Sequence, residues 1–237
     1  MPGRCGVLFV HGIVGNCRIF DFLLSEVPQG VVVRSLTLDG HGGDALDFSR
    51  TSMARWKAQV SAAVDEMSAC CDSILAVGHS MGCLLLLEQA QQGRVQGLFL
   101  MNPPLRLCIR RGLFVNALKV LAGRTESDEA AMAAKEAYGV AIDLNPLHYY
   151  GWPMRYMELF AEIGRVRRSV VGDVACPIVA FFGARDEMVS VSSAKYFSAL
   201  PQASVTILPA SHHYYYPAAD RAAILSAFRS YLKGSLS

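Results

Sequence analysis

The sequence has few charged residues and little excess of either sign. Charged residues make up 18% of the 237 residues, and the formal net charge is +2. Domains that bind nucleic acid carry a basic patch or stripe, and disordered chains combine strong charge with few apolar residues. Here 52% of the residues are apolar and no cluster of Lys and Arg alternates with aromatic residues. We therefore expect a globular protein with a sizeable core, whose partner is not a nucleic acid.

Long apolar runs are also missing, and so is the pattern of a signal peptide. The sequence Met1-Pro2-Gly3-Arg4 leads directly into the apolar residues 5–10, without a charged region, a long apolar region and a cleavage site. The apolar stretches are far shorter than the ~20 residues that span a bilayer. We therefore expect no membrane anchor and a cytoplasmic location.

Cysteine occurs in an odd number and without paired CxxC spacing. Seven cysteines in this arrangement predict neither a disulfide framework nor a zinc site. The adjacent Cys70 and Cys71 could form a vicinal disulfide, but we favour two thiols at the end of a helix. A reduced protein is expected, which agrees with a cytoplasmic location.

Apolar runs of strand length alternate with amphipathic helical patterns along most of the chain. Strands are predicted at residues 5–10, 31–38, 74–77, 98–101, 178–182 and 205–208. Helical spacing of apolar residues follows most of them: at 20–27, from about Ser52, at 81–92, at 193–200 and near the C-terminus. Strands that are apolar on both faces and separated by helices predict an α/β fold with a parallel sheet covered on both sides.

Residues 103–172 do not keep this alternation. They predict two or three helices, including 113–122 and 128–138, followed by a stretch rich in aromatic residues and Met. We interpret 1–102 and 173–237 as the core and 103–172 as a small helical cap inserted before the last two strands. Trp152, Tyr156 and Met157 are the cap residues predicted to bind substrate. Packing of the cap on the core is the alternative for such side chains, and the cap could also form a homodimer surface.

The pentapeptide Gly78-His79-Ser80-Met81-Gly82 follows one predicted strand and opens a predicted helix. In a sharp turn from strand to helix, a serine is held in a strained conformation and other backbone approaches both flanking positions, which glycine permits. A serine hydroxyl is a poor nucleophile until a base removes its proton. The pattern predicts that Ser80 is a nucleophile, provided that a base and a carboxylate lie near it.

Candidates for both partners follow later strands. Asp186 comes just after the strand at 178–182, and His212 and His213 come just after the strand at 205–208. The chain order Ser, Asp, His and the position at the carboxyl ends of parallel strands both suit a catalytic triad. The N–H groups of Met81 and Ile13 are the predicted donors to the oxyanion. For His11, in the loop beside Ile13, we expect a structural role.

Five motifs in this order resemble the α/β-hydrolase superfamily, and more narrowly its carboxylesterases, monoacylglycerol lipases and lysophospholipases: Leu8-Phe9-Val10-His11-Gly12, Asp39-Gly40-His41-Gly42-Gly43, Gly78-His79-Ser80-Met81-Gly82, Gly183-Ala184-Arg185-Asp186 and Ser211-His212-His213. The resemblance implies a triad of Ser80, Asp186 and His213, two oxyanion N–H groups, no metal and no cofactor. It also implies a helical cap between the sixth and seventh strands of the family's sheet.

Two departures from the family's pattern carry expectations of their own. The family often has Ser-Gly-His where this chain has Ser211-His212-His213, and alignment on the serine favours His213 over His212 as the base. The first predicted strand begins near residue 5, so we expect the sheet to lack the two antiparallel strands that usually precede the His-Gly loop. A six-stranded, all-parallel sheet is therefore expected.

The function that these residues predict is hydrolysis of a small carboxylic ester, with a short or medium acyl group or a monoacylglycerol-like structure, through an acyl-enzyme on Ser80. A thioesterase or acyltransferase would use the same triad, and so would a C–C bond hydrolase. A non-catalytic ligand-binding protein of the same fold would need no triad, so a complete triad disfavours it.

Overall fold

A computed structural model describes residues 4–108 and 128–236 of the chain. The helix predicted at 113–122 lies outside the described residues. Within them, six strands form one sheet in the order β2-β1-β3-β4-β5-β6, and every neighbouring pair is parallel. The strands are β1 Cys5–Val10, β2 Val32–Leu36, β3 Ser73–His79, β4 Gly97–Met101, β5 Ile178–Gly183 and β6 Ala203–Leu208. The predicted six-stranded, all-parallel sheet is confirmed.

Helices cover both faces of the sheet, because successive side chains of each strand point to opposite faces. The helices are α1 Asp21–Leu24, α2 Ala45–Arg50, α3 Met53–Ser68, α4 Met81–Gln91, α5 Glu129–Ala137, α6 Trp152–Ser169, α7 Ala194–Ser198 and α8 Ala218–Leu236. One apolar cluster joins α2, α3, α4, α6 and α7 to the sheet, and a second joins α1 and α8 to its other face. In β1, for example, Leu8 belongs to the first cluster and Phe9 to the second.

The helix predicted at 20–27 is shorter in the structure. A 3-10 turn at Cys17–Phe20 precedes α1, and the N–H groups of Glu26 and Val27 donate to carbonyls three residues earlier. Pro28 follows, and a proline disfavours the α conformation in the residue before it. The apolar spacing does mark one face that packs against the core, but the backbone tightens into 3-10 geometry before the proline.

The described part of the chain between β4 and β5 contains the helices α5 and α6, joined by shorter turns and loops. Helix α5 begins after Asp128, whose Oδ1 accepts hydrogen bonds from the N–H groups of Ala130 and Ala131. Helix α6 is joined to the sheet-covering helices by ion pairs, with Lys57 Nζ 2.7 Å from Glu162 Oε2 and Arg165 Nη2 3.0 Å from Glu88 Oε1. The division into a core and a cap at 103–172 stays a prediction.

The structure also bears on a membrane-spanning helix and on the state of the cysteines. No helix within 4–108 and 128–236 is long and apolar enough to cross a membrane. Within the described residues, none of the seven cysteines forms a disulfide bond, and the Cys70 and Cys71 sulfurs lie 3.8 Å apart, well beyond the ~2.05 Å of such a bond. The two adjacent residues are therefore thiols.

Candidate active site

The turn between β3 and α4 holds Ser80 in an unusual backbone conformation. Ser80 has φ 50° and ψ −122°, a positive φ that L-residues rarely adopt. Both glycines of the pentapeptide are needed there. A Cβ atom on Gly82 would lie 2.0 Å from the carbonyl oxygen of Val10, and one on Gly78 would lie 2.9 Å from the backbone nitrogen of Cys83. Close packing of β1 and α4 against the turn thus explains the Gly-x-Ser-x-Gly spacing.

Two further strand ends bring an imidazole and a carboxylate to Ser80. His213 Nε2 lies 3.1 Å from Ser80 Oγ, and His213 Nδ1 lies 2.7 Å from Asp186 Oδ2. Because a carboxylate accepts only, Nδ1 carries the proton and donates it to Asp186. Nε2 is then the acceptor and faces the serine hydroxyl. The geometry matches a nucleophile, a base and a carboxylate that orients the base.

Asp186 is itself fixed by the backbone that follows it. Its Oδ1 accepts hydrogen bonds from the N–H groups of Met188 and Val189, both at 2.7 Å. The side chain is 1% exposed, so both bonds lie away from bulk water. Asp186 Oδ1 therefore accepts from the loop, and Oδ2 accepts from the imidazole of His213.

The electrostatic environment favours the protonated form of His213. Burial is the largest influence and lowers its pKa, because it disfavours the charged imidazolium. The negative charge of Asp186, its hydrogen bond to the ring, and the charge of Glu187 outweigh burial and raise the pKa above the ordinary value. A site of this kind stabilises the imidazolium that forms when a base takes a proton from serine.

The neighbouring His212 occupies a different environment. Its Nδ1 lies 3.5 Å from Glu187 Oε2, and its backbone N–H donates to the carbonyl of Tyr215. Its side chain is 29% exposed, whereas that of His213 is fully buried. Of the two histidines, the structure brings His213 to Ser80.

The two N–H groups predicted for the oxyanion lie on either side of Ser80. Met81 is the first residue of α4, so its N–H has no acceptor within the helix and points from the positive end of the helix dipole. A Cβ atom on Gly12 would lie 2.8 Å from Ser80 Cβ, which puts the loop that carries Ile13 directly against Ser80. Ile13 is also buried in the wall of the cavity that Ser80 faces.

His11 has a structural role in this loop. Its Nδ1–H donates to the carbonyl of Gly12, and its Nε2 accepts from the N–H of Leu38, so both ring nitrogens are occupied. Burial lowers the pKa of His11 to about 4, which keeps the ring neutral. The ring of His41 packs against it with centroids 4.8 Å apart, so the Gly40-His41-Gly42 loop supports the Ile13 loop from behind.

A cavity of about 480 Å³ opens beside Ser80. Its volume is in the range of small-molecule sites, and its wall is almost entirely apolar or aromatic. The wall is formed by loops that follow the strands and by the segment between β4 and β5. Its residues are Ile13, Val14, Pro104, Leu107, Cys108, Ala134, Tyr138, Val140, Ala141, Ile142, Tyr149, Trp152, Tyr156, Leu159, Phe160, Glu187, Met188, Val189 and Tyr214.

Comparison with known proteins shows a similarity that covers most of the chain. Residues 7–227 match the model of a family described as the alpha/beta hydrolase family. The chain belongs to this family. A thermostable monoacylglycerol lipase of Bacillus sp. (strain H-257) is 24% identical to this α/β hydrolase over 196 residues, which cover 81% of this chain and 74% of the lipase.

Solved structures with the same fold include several lipolytic enzymes. One from work on LipS and LipT, two metagenome-derived lipolytic enzymes, has a TM-score of 0.74 and 20% identity, and covers 99% of this chain and 95% of its own. The monoacylglycerol lipase of Paleococcus ferrophilus has a TM-score of 0.68 and 18% identity, with 95% and 94% covered. At these identities the likeness establishes the fold of the α/β hydrolase.

The structure separates the three predicted substrate-binding residues of the α/β hydrolase. Trp152 and Tyr156 line the cavity, whereas Met157 is absent from its wall and is 61% exposed. The reason is helical geometry. Trp152, Tyr156 and Leu159 recur at i, i+4 and i+7 and share the cavity face of α6, while Met157 is turned by about 100° from Tyr156. The cavity wall therefore gives no support for Met157 as a substrate-binding residue, and substrate binding by Trp152 and Tyr156 stays a prediction.

Sequence reasoning missed Asn102, which joins the loops of the site. It follows β4, has φ 52°, and is 1% exposed. Its Oδ1 accepts from the N–H of Gly183 at 2.8 Å, and its Nδ2 donates to the carbonyl of His213 at 3.3 Å. The signal in the sequence was an asparagine, which tolerates positive φ, at the carboxyl end of a central strand.

Two other polar side chains hold the loop before His213. His79 Nε2–H donates to the carbonyl of His213 at 2.9 Å, and Asp220 Oδ2 accepts from Ser211 Oγ at 2.7 Å. Asp220 also accepts from the N–H of Ala210, so α8 is tied to this loop. Within 4–108 and 128–236 no group of three or more His, Cys, Asp or Glu side chains has the geometry of a metal site.

Proposed function

We propose that this α/β hydrolase is a serine esterase that cleaves small carboxylic esters with a short or medium acyl group, including monoacylglycerol-like esters. The observation that carries the proposal is the hydrogen-bonded series Ser80 Oγ, His213 and Asp186, with separations of 3.1 and 2.7 Å, beside an apolar cavity. The similarity to a monoacylglycerol lipase over most of both chains supports the choice of ester class.

In the proposed mechanism His213 Nε2 takes the proton of Ser80, and Ser80 Oγ attacks the ester carbonyl. The N–H groups of Met81 and Ile13 donate to the oxyanion of the tetrahedral intermediate. His213 then gives its proton to the leaving alcohol, which leaves an acyl group on Ser80. Water, deprotonated by the same histidine, attacks this acyl-enzyme, and collapse of the second intermediate releases the acid and restores Ser80.

A fluorophosphonate probe tests the proposal directly, because it phosphonylates a serine only when a base has activated it. We expect the probe to label the purified protein at Ser80, located by peptide mass spectrometry, and to abolish hydrolysis of p-nitrophenyl butyrate in proportion to labelling. A protein that is folded but neither labelled nor active would contradict the proposal and favour a non-catalytic ligand-binding role.

The pH dependence of kcat/KM should report the raised pKa of His213. Only the neutral imidazole accepts the serine proton, so activity is lost as the pH falls through the pKa of His213. Since Asp186 and Glu187 raise this pKa, the midpoint of the acid limb is expected above ~6.5, the ordinary value for histidine. Full recovery of activity on return to neutral pH would separate titration from unfolding, and a midpoint below ~6 would contradict the prediction.

Adjacent residues of α6 allow a matched test of the acyl pocket. Tyr156 lines the cavity and Met157 does not, so Tyr156→Ala should enlarge the cavity while Met157→Ala leaves it unchanged. For Tyr156→Ala we expect kcat/KM for p-nitrophenyl decanoate, relative to the butyrate, to rise by roughly 10-fold, the order that one or two methylenes contribute in an apolar pocket.

The acyl-length profile of Met157→Ala should overlay that of the wild type. Melting temperatures of both variants are measured alongside, because loss of an aromatic side chain also removes packing. An unchanged profile in a folded Tyr156→Ala variant, or an equal shift in Met157→Ala, would place the acyl group elsewhere.

A further inference from the structure

Glu187 is a buried carboxylate on the cavity wall that the proposed mechanism does not use. It directly follows Asp186, is 6% exposed, and lines the same cavity as Ser80. Among the described residues that line this cavity, Glu187 is the one with an acidic or basic side chain. A charged group in an otherwise apolar site has a strong influence on what binds there, since the low local dielectric strengthens its interactions.

The contacts of Glu187 attach it to the base of the triad. Its Oε2 accepts a hydrogen bond from the backbone N–H of His213 at 3.3 Å and lies 3.5 Å from His212 Nδ1. Burial raises the pKa of Glu187, but the hydrogen bond from His212 and the charge of His213 outweigh it and lower the pKa below the ordinary value. The side chain is therefore ionised at neutral pH.

The position of Glu187 relative to the ester follows from the mechanism. The leaving alcohol must receive its proton from His213 Nε2, so its oxygen lies on the His213 side of Ser80. Glu187 accepts a hydrogen bond from the backbone N–H of His213 and lines the cavity beside Ser80, so its negative charge lies next to the residue that protonates the alcohol. An alcohol with a hydroxyl or a cationic group can interact favourably with this charge, whereas an anionic alcohol is repelled.

We infer that Glu187 is a specificity-determining residue that selects esters whose alcohol part presents a hydroxyl or a positive charge and rejects esters whose alcohol part is anionic. The inference rests on the proposed function and narrows its substrate class. It assigns different tasks to two adjacent carboxylates: Asp186 orients His213, and Glu187 discriminates between alcohols.

Three butyrate esters separate the charge of the alcohol from the acyl group: butyrylcholine, methyl butyryloxyacetate and the butyryloxyacetate anion. Hydrolysis is followed by release of butyrate at pH 7.5. In the wild type we expect kcat/KM for the anion to be at least ~10-fold below that for its methyl ester, because like charges in a desolvated site repel strongly. Butyrylcholine should be cleaved at least as well as the methyl ester.

Glu187→Gln removes the charge and keeps an oxygen that can accept the His213 N–H. We expect this variant to reduce the ratio of methyl ester to anion by roughly 10-fold, and comparison of the two proteins cancels the intrinsic reactivities of the esters. The control is Glu26→Gln, which removes the same charge from a partly exposed residue that is paired with Arg229 and does not line the cavity. Its ratio should equal that of the wild type.

The outcomes distinguish the inference from the proposed function. Equal cleavage of the anion and its methyl ester by a fluorophosphonate-reactive wild type overturns the inference alone, and this measurement needs no variant. An unchanged ratio in a folded, labelled Glu187→Gln variant does the same. A wild type that cleaves none of the esters and does not react with the probe overturns the proposed function and the inference with it.

Discussion

Replacing Ser80 with alanine is expected to lower kcat for p-nitrophenyl butyrate by ~10³-fold or more, because the hydroxyl and its base act as one unit. Ser80 Oγ is within hydrogen-bond distance of His213 Nε2, and alanine has no atom that could attack the ester. The substitution removes one atom from the turn, so the fold should be retained. Melting temperature and substrate binding are measured together with turnover. Near wild-type turnover by a pure, unlabelled Ser80→Ala variant would contradict the mechanism.

Because Ser80 and His213 are expected to act together, their substitutions should not have additive effects on kcat. His213→Ala should reduce kcat about as much as Ser80→Ala, and the double variant should be no worse than either single variant, since the first loss already removes the shared contribution. His212→Gly is the matched control, because His212 contacts Glu187 rather than Ser80. It should keep substantial activity. A larger loss in His212→Gly than in His213→Ala would reassign the base.

Asp186→Asn is expected to lower kcat by ~10⁴-fold, the order found when a triad carboxylate becomes an amide. The two N–H groups of Met188 and Val189 would hold the amide oxygen in the place of Oδ1. The amide nitrogen then faces His213 Nδ1 and can only donate. The ring is forced to accept at Nδ1 and to carry its proton on Nε2, so it can no longer accept the proton of Ser80.

The chain contains a second Asp–His pair that serves as a control for this change. His148 Nδ1 contacts Asp143 Oδ2, and Asp143 Oδ1 accepts from the N–H of Asn145, so the pair repeats the local chemistry away from Ser80. Asp143→Asn should change kcat by less than about 3-fold, as expected for a residue outside the reacting set. Raising the pH should not restore Asp186→Asn, because its defect lies in the tautomer rather than in the charge. Similar losses in both variants would indicate a general effect on stability.

The sequence alone identified most of the sheet, because buried parallel strands are continuous apolar runs. The predicted strand at 98–101 differs from β4 by one residue, and the predicted helix at 81–92 differs from α4 by one residue. The sequence also predicts that Ser80, Asp186 and His213 lie together, as they do in the structure, since each follows a strand and parallel strands end at one edge of the sheet. The end of a strand can be seen in the sequence itself, because the apolar run stops there.

The tertiary structure decided which side chains meet. No sequence pattern marked Asn102 or Glu187 as part of the site. Their partners include backbone atoms in loops that are distant in sequence, and every residue type has such atoms. Tyr156 and Met157 are adjacent in sequence and both are large apolar side chains. Only the rotation of α6 against the core decides that Tyr156 lines the cavity and Met157 is exposed. The sequence by itself determined the order of strands and helices and which polar side chains stand at the ends of the strands. The shape of the cavity and the charge on its wall depend on long-range packing, which no periodicity within a segment contains.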